Sequence, residues 1–146
     1  MPLIFRAMLA DDSVPVVGPS RKMLGVTAGH EPNVDITPTV DGLVIPESGG
    51  MSVAPAWTDL PAHRIPRRLR DKCESAAGNN NRECWRLGSG AFNNSMVSSK
   101  LNLRVDSRIH GVVEPSREMS LSDFQDALAQ TRQQWTIDPE TVRSEV

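Results

Sequence analysis

Pro55, Pro61 and Pro66 punctuate "APAWTDLPAHRIP". A helix of ordinary length cannot run through prolines at that spacing, because each removes a backbone donor and its ring clashes with the preceding turn. The segment reads as an ordered loop with Trp57 as its anchor. Much of the chain before it is broken in the same way. "VPVVG" and "KMLGV" are short pieces ended by Pro or Gly, fit for edge strands or turns, and "TAGHEPNVDITPTVDG" reads as loop. The first half therefore offers strands and turns rather than helix.

The strands follow from alternation. "LIFRAM" sets Leu3, Phe5 and Ala7 against Ile4, Arg6 and Met8, a strand apolar on both faces with one arginine in it. In "GLVIPESGGMSVAP" a strand is expected at "GLVI", a turn from Pro46 to Gly50, and renewed extended chain at "MSVA". Gly49 and Gly50 permit positive φ or close backbone approach, which puts Ser52 just beyond a tight bend. "CWRLGSGAF" reads as a strand and "NNSMVSS" as a connector. "LNLRVDS" is a one-sided strand, and "HGVVEP" is a half-buried strand ended by Pro115, with His110 and Glu114 at its two ends.

One helix is clearly written. Ser120 is its N-cap with Asp123 three residues on, and Leu121, Phe124, Leu128, Thr131 and Trp135 recur along one face. The polar tail from Thr136 is expected to fray. These elements make an α+β domain covering residues 1–146, with the Asn-rich stretch 71–83 its most mobile loop and 71–100 a variable loop region.

Composition bounds the function. With 38% hydrophobic residues and six aromatics, the core is modest. A formal charge of -2 argues against a nucleic-acid-binding surface over the whole molecule, so such a role would rest on the local patch "HRIPRRLR". That patch holds His63, Arg64, Arg67, Arg68 and Arg70, which suit a pyrophosphate, an RNA backbone or an acidic protein, or a solvated loop. Cys73 and Cys84 match neither a zinc knuckle nor a CxxC pair and read as free thiols. The histidines show no metal-ligand spacing, and there is neither a Walker loop nor GxGxxG after a strand. The short apolar run near the start does not read as a signal peptide, and no stretch is long enough to span a membrane, so synthesis in the cytoplasm is expected.

"FRAM", "GLVIPESGGMSVAP" and "HGVVEPSREMSLSDFQDALAQTRQQW" resemble a bacterial toxin family with an ADP-ribosyltransferase-like fold, known among type VI secretion effectors. The likeness leaves residues 71–100 unmatched. It implies split β-sheets around an NAD cleft with the C-terminal helix packed on the core, toxicity in a target cell reached without a cleaved signal, and a cognate immunity protein. It also implies that NAD is the substrate, ADP-ribose passing to a macromolecular acceptor or to water.

On this resemblance Arg6, Ser52 and Glu114 are the catalytic group, and Arg6, Ser52, His63, Arg64 and His110 contact NAD. The chemistry suits these types. The bond to nicotinamide breaks through an oxocarbenium-like state that a carboxylate stabilises, while a guanidinium forks onto phosphate and a hydroxyl orients the ribose. Two departures stand out. Met51, Ser52 and Val53 retain one hydroxyl where the family carries three, and Val112 stands where arginine-modifying members have a glutamate. The competing reading is a non-catalytic module that binds RNA or a protein through residues 63–70.

Overall fold

The computed structural model describes residues 1–143 and shows an α+β fold built mostly from antiparallel sheets. In the first sheet, β1 (Ile4–Asp11) runs between β2 (Val14–Pro15) and a long strand Arg82–Leu87, whose outer edge is closed by the short strand Thr136–Ile137. A two-stranded ribbon pairs β3 (Leu43–Val44) with Met119–Ser120. The other four-stranded sheet has the order β4 (Met51–Val53), His110–Pro115, Leu101–Ser107, Ser95–Ser98. In chain order the remaining strands are β5 (Arg82–Leu87), β6 (Ser95–Ser98), β7 (Leu101–Ser107), β8 (His110–Pro115), β9 (Met119–Ser120) and β10 (Thr136–Ile137).

The two larger sheets touch where Phe5 and Ala54 exchange both backbone hydrogen bonds, at 2.8 and 3.0 Å. The two-faced pattern of β1 explains its place at this junction. Ile4 and Met8 enter a core with Trp85, Phe124 and Trp135, and Phe5 and Ala7 enter a second with Trp57, Leu60 and Leu69. Burying both faces of one strand lets a domain with few aromatics hold two apolar clusters.

Gly49 and Gly50 each use their freedom. Gly49 has φ +121, and Gly50 lies so close to β8 that a Cβ there would stand 2.3 Å from the Val113 carbonyl oxygen. The helix α1 (Leu121–Ala129) starts as expected, with the Ser120 hydroxyl accepting from the Asp123 amide at 3.1 Å. It ends sooner than its apolar stripe. Thr131 and Trp135 stay buried across a 3-10 turn, and the indole Nε1 donates to Thr131 Oγ1 at 2.9 Å.

Three expectations need correction. The tail does not fray from Thr136: β10 pairs with β5, the Asp138 amide donates to the Cys84 carbonyl at 2.8 Å, and Thr141 is fully buried. "NNSMVSS" is no connector, because Ser95–Ser98 pairs with β7 and buries Val97, which three small polar neighbours disguise in sequence. Region 71–100 is likewise not one loop, since Arg82–Leu87 and Ser95–Ser98 are strands. The proline-rich stretch is ordered as expected but coils into 3-10 turns at Trp57–Asp59, Ala62–Arg64 and Arg67–Leu69. Trp57 is buried there and donates Nε1 to Glu140 at 3.1 Å.

Cys73 and Cys84 are free thiols. Burial pushes the Cys84 thiol up to about 12 from an ordinary value of 9.0. A raised value in the folded state favours the native fold fully below the unfolded pKa and loses that contribution as pH climbs through the folded one. Stability is therefore expected to fall between about pH 9 and 12 by a component that Cys84→Ala removes, measured as urea midpoints of both proteins across that range. Equal pH slopes for the two would refute it.

Candidate functional site

A hollow of about 340 Å³ opens beside the junction of the two sheets, with Arg6 and Ala7 on one side and Ser52, Val53 and Ala54 on the other. The 3-10 turns after Pro55 supply Asp59, Leu60, Pro61, His63 and Arg64, and the tip of the β7–β8 hairpin supplies Ile109 and His110. The prolines that forbid a helix thus fold the segment back over the sheets as a wall. A second hollow of about 250 Å³ shares Arg6, Ser52 and Arg64 with the first and adds Arg21, Asp35, Gly50 and Val112.

Arg6 is buried, and its guanidinium is spent largely on backbone carbonyls. Nη1 donates to Ser52 O at 2.8 Å, Nε to Met23 O at 3.2 Å, and Nη2 to Met23 O, Gly25 O and Ser20 O at 3.1, 3.3 and 3.4 Å. Burial, with Arg64 and Arg21 adding to it against the pull of Asp35, brings its pKa down to about 10, so it stays charged at neutral pH. Arg64 donates to Arg21 O at 2.9 Å, and burial followed by the nearby Arg21 lowers its pKa as well. Arg21 leans on Asp35 at 3.4 Å. Three guanidiniums therefore surround one carboxylate, an excess of positive charge that suits an anion with several oxygens.

Ser52 pairs with Val112 in the β4–β8 register, and among the described residues its hydroxyl has no hydrogen-bond partner. His110 lines the first hollow, and its Nδ1 lies 2.8 and 2.9 Å from the two carboxylate oxygens of Asp106 across the hairpin. His63 is exposed at the rim.

Glu114 stands apart from these five. It follows Val112 by two residues on the same face of β8, about 7 Å along the strand, and lines a third hollow of about 390 Å³ with Arg104, Asn102 and Met96. Its carboxylate accepts from the Glu47 amide at 2.7 Å and from Arg104 Nε at 3.1 Å. The convergence of Arg6, Ser52 and Glu114 on one cavity is thus met by the first two alone. Its partners decide this: Arg104 on β7 and the turn at Glu47 hold the carboxylate in the neighbouring hollow.

The basic stretch is divided rather than presented as one patch. Arg64 turns into the cleft, Arg68 pairs with Glu83 at 2.8 Å and donates to Thr141 O at 2.7 Å, and Arg70 donates to Ala76 O at 2.8 Å. That leaves Arg67 and Arg70 exposed beside partly committed neighbours.

Arg21, Asp35, Asp59 and Asp106 are the site residues that sequence reasoning missed. Asp106 had a signal, since adjacent strands "LNLRVDS" and "HGVVEP" joined as a hairpin bring it beside His110. The other three lie in turns, where no periodicity reports direction. Among the described residues no three His, Cys, Asp or Glu side chains gather to hold a metal ion, and no helix is long and apolar enough to cross a membrane. Comparison with protein-family models and with curated proteins finds no match.

Proposed function

We propose that this protein is an ADP-ribosyltransferase-like domain that binds NAD across the two joined hollows and breaks its nicotinamide–ribose bond, passing ADP-ribose to a macromolecular acceptor or to water. One observation carries the reading: Arg6, Ser52, His63, Arg64 and His110, drawn from three remote parts of the chain, line a single hollow. The antiparallel sheets meeting at β1, with the helix packed on the core, agree with the architecture that the resemblance implies.

In this reading the pyrophosphate lies in the second hollow on Arg21 and Arg64, with Arg6 holding the local charge and backbone. The Ser52 hydroxyl orients a ribose. The apolar walls from Val53, Leu60, Pro61 and Ile109 take the nicotinamide ring. Asp59 is the carboxylate in that hollow and takes the role the resemblance gives Glu114, stabilising positive charge on the ribose as the C–N bond lengthens. Glu114 braces the floor through Arg104 and the turn at Glu47. Inside a target cell such a reaction depletes NAD or modifies a host macromolecule, which makes the protein a toxin of the type VI effector kind and calls for an immunity protein in its producer.

Purified protein incubated with NAD is expected to release free nicotinamide, and cells expressing it are expected to stop growing. Asp59→Asn is expected to lower release about 100-fold, and Ser52→Ala to lower it less, with both variants melting like the parent. No nicotinamide from the parent, or undiminished release from both variants, would reject the assignment.

A further inference from the structure

We propose that His110 is the general base of this site, with Asp106 positioning it. The inference rests on the NAD-cleaving reading and adds the step that reading leaves open, the activation of the hydroxyl that attacks the ribose.

The pair has the geometry of an oriented base. Asp106 lies one residue before the end of β7, His110 opens β8, and the tight hairpin with a register shift between Val105 and Ser107 brings the carboxylate onto the ring. Both carboxylate oxygens lie within 2.9 Å of Nδ1, a bifurcated arrangement that places a proton on Nδ1, so that in the neutral ring the lone pair is on Nε2. An imidazole so tethered cannot swing freely, although both residues are partly open to water. Its ring borders the hollow that also holds Asp59 and the unpartnered Ser52 hydroxyl. Ser52 and His110 sit diagonally across the β4–β8 register, Ser52 opposing Val112, so their Cβ atoms stand about 7 Å apart, room for one small molecule between the side chains. A surface ion pair alone would not need its histidine turned toward a cavity.

The step balances without a further reactant. The C1′–N bond breaks with its electron pair going to the nicotinamide ring, which leaves neutral. An O–C1′ bond forms from water or an acceptor hydroxyl, and the proton of that hydroxyl passes to His110 Nε2. The imidazolium is stabilised by Asp106 and returns the proton to solvent, so that NAD and water yield ADP-ribose, nicotinamide and one proton.

The test measures nicotinamide release and ADP-ribose binding on the same preparations. His110→Ala is expected to release nicotinamide about 100-fold more slowly, to bind ADP-ribose within about threefold of the parent, and to regain activity when free imidazole is added. Asp106→Asn is expected to lose about tenfold, and Asp106→Glu to recover part of that loss. A His110→Ala variant as fast as the parent, or slow but indifferent to imidazole, would overturn the role of the dyad while leaving NAD cleavage standing. A parent protein that releases no nicotinamide would overturn both.

Discussion

Replacing Arg6 with methionine is expected to lower the melting temperature by about 10–15 °C, corresponding to about 4 kcal/mol in a chain of this size. The side chain is 3% exposed, and its five hydrogen bonds end on the carbonyls of Ser20, Met23, Gly25 and Ser52. Methionine fills much of the volume but leaves those oxygens without their donor, and each buried orphan costs about 1–3 kcal/mol, partly relieved where water can reach. Lysine is expected to rescue little. It keeps the charge, yet a single ammonium cannot reach both the Ser20–Gly25 segment and β4 as a planar fork does. A calorimetric melt of the methionine variant within about 3 °C of the parent would show that the guanidinium is not a structural tie. The expected loss also means that abolished activity in an Arg6 variant says nothing about catalysis unless the fold is measured alongside.

Gly50→Ala is expected to cost at least about 3 kcal/mol, a drop of about 6–12 °C. The added Cβ would stand 2.3 Å from Val113 O and 3.2 Å from the Glu114 Cα. Both are backbone atoms of the central strand β8, so neither can step aside as a flexible side chain would, and β4 must shift outward. Because Ser52 lies two residues further on, the NAD binding proposed above is expected to weaken with the fold. Gly42→Ala is the control: it has φ +77 but nothing within 4 Å, so it carries backbone strain of about 1 kcal/mol alone. Equal melting temperatures for the two variants would remove the steric argument.

Most strands could be read from the chain because alternation reports burial directly. "LNLRVDS" buries Leu101 and Leu103 as its pattern demands, and the cap at Ser120 needs only local chemistry. What escaped was decided at a distance. Ser95–Ser98 is a strand because β7 offers it an edge, and Thr136–Ile137 is one because β5 does. The same limit applies to the site. Arg6, Ser52, His63, Arg64 and His110 are named by what the resemblance implies, and the cleft gathers them. Glu114 is named by it too, but only its contacts with Arg104 and the Glu47 amide reveal that it belongs to the neighbouring hollow. Asp59, on a turn whose direction the prolines set, had no such cue.

The Phe5–Ala54 bridge gives the cavity an unusual foundation. Its opposing walls belong to different sheets, joined by that reciprocal pair of amide contacts, by the Arg6 guanidinium on the Ser52 carbonyl and by a shared apolar core, rather than carved into a single slab. A guest lodged between those walls would cross-brace the two halves, and occupancy and rigidity would rise together.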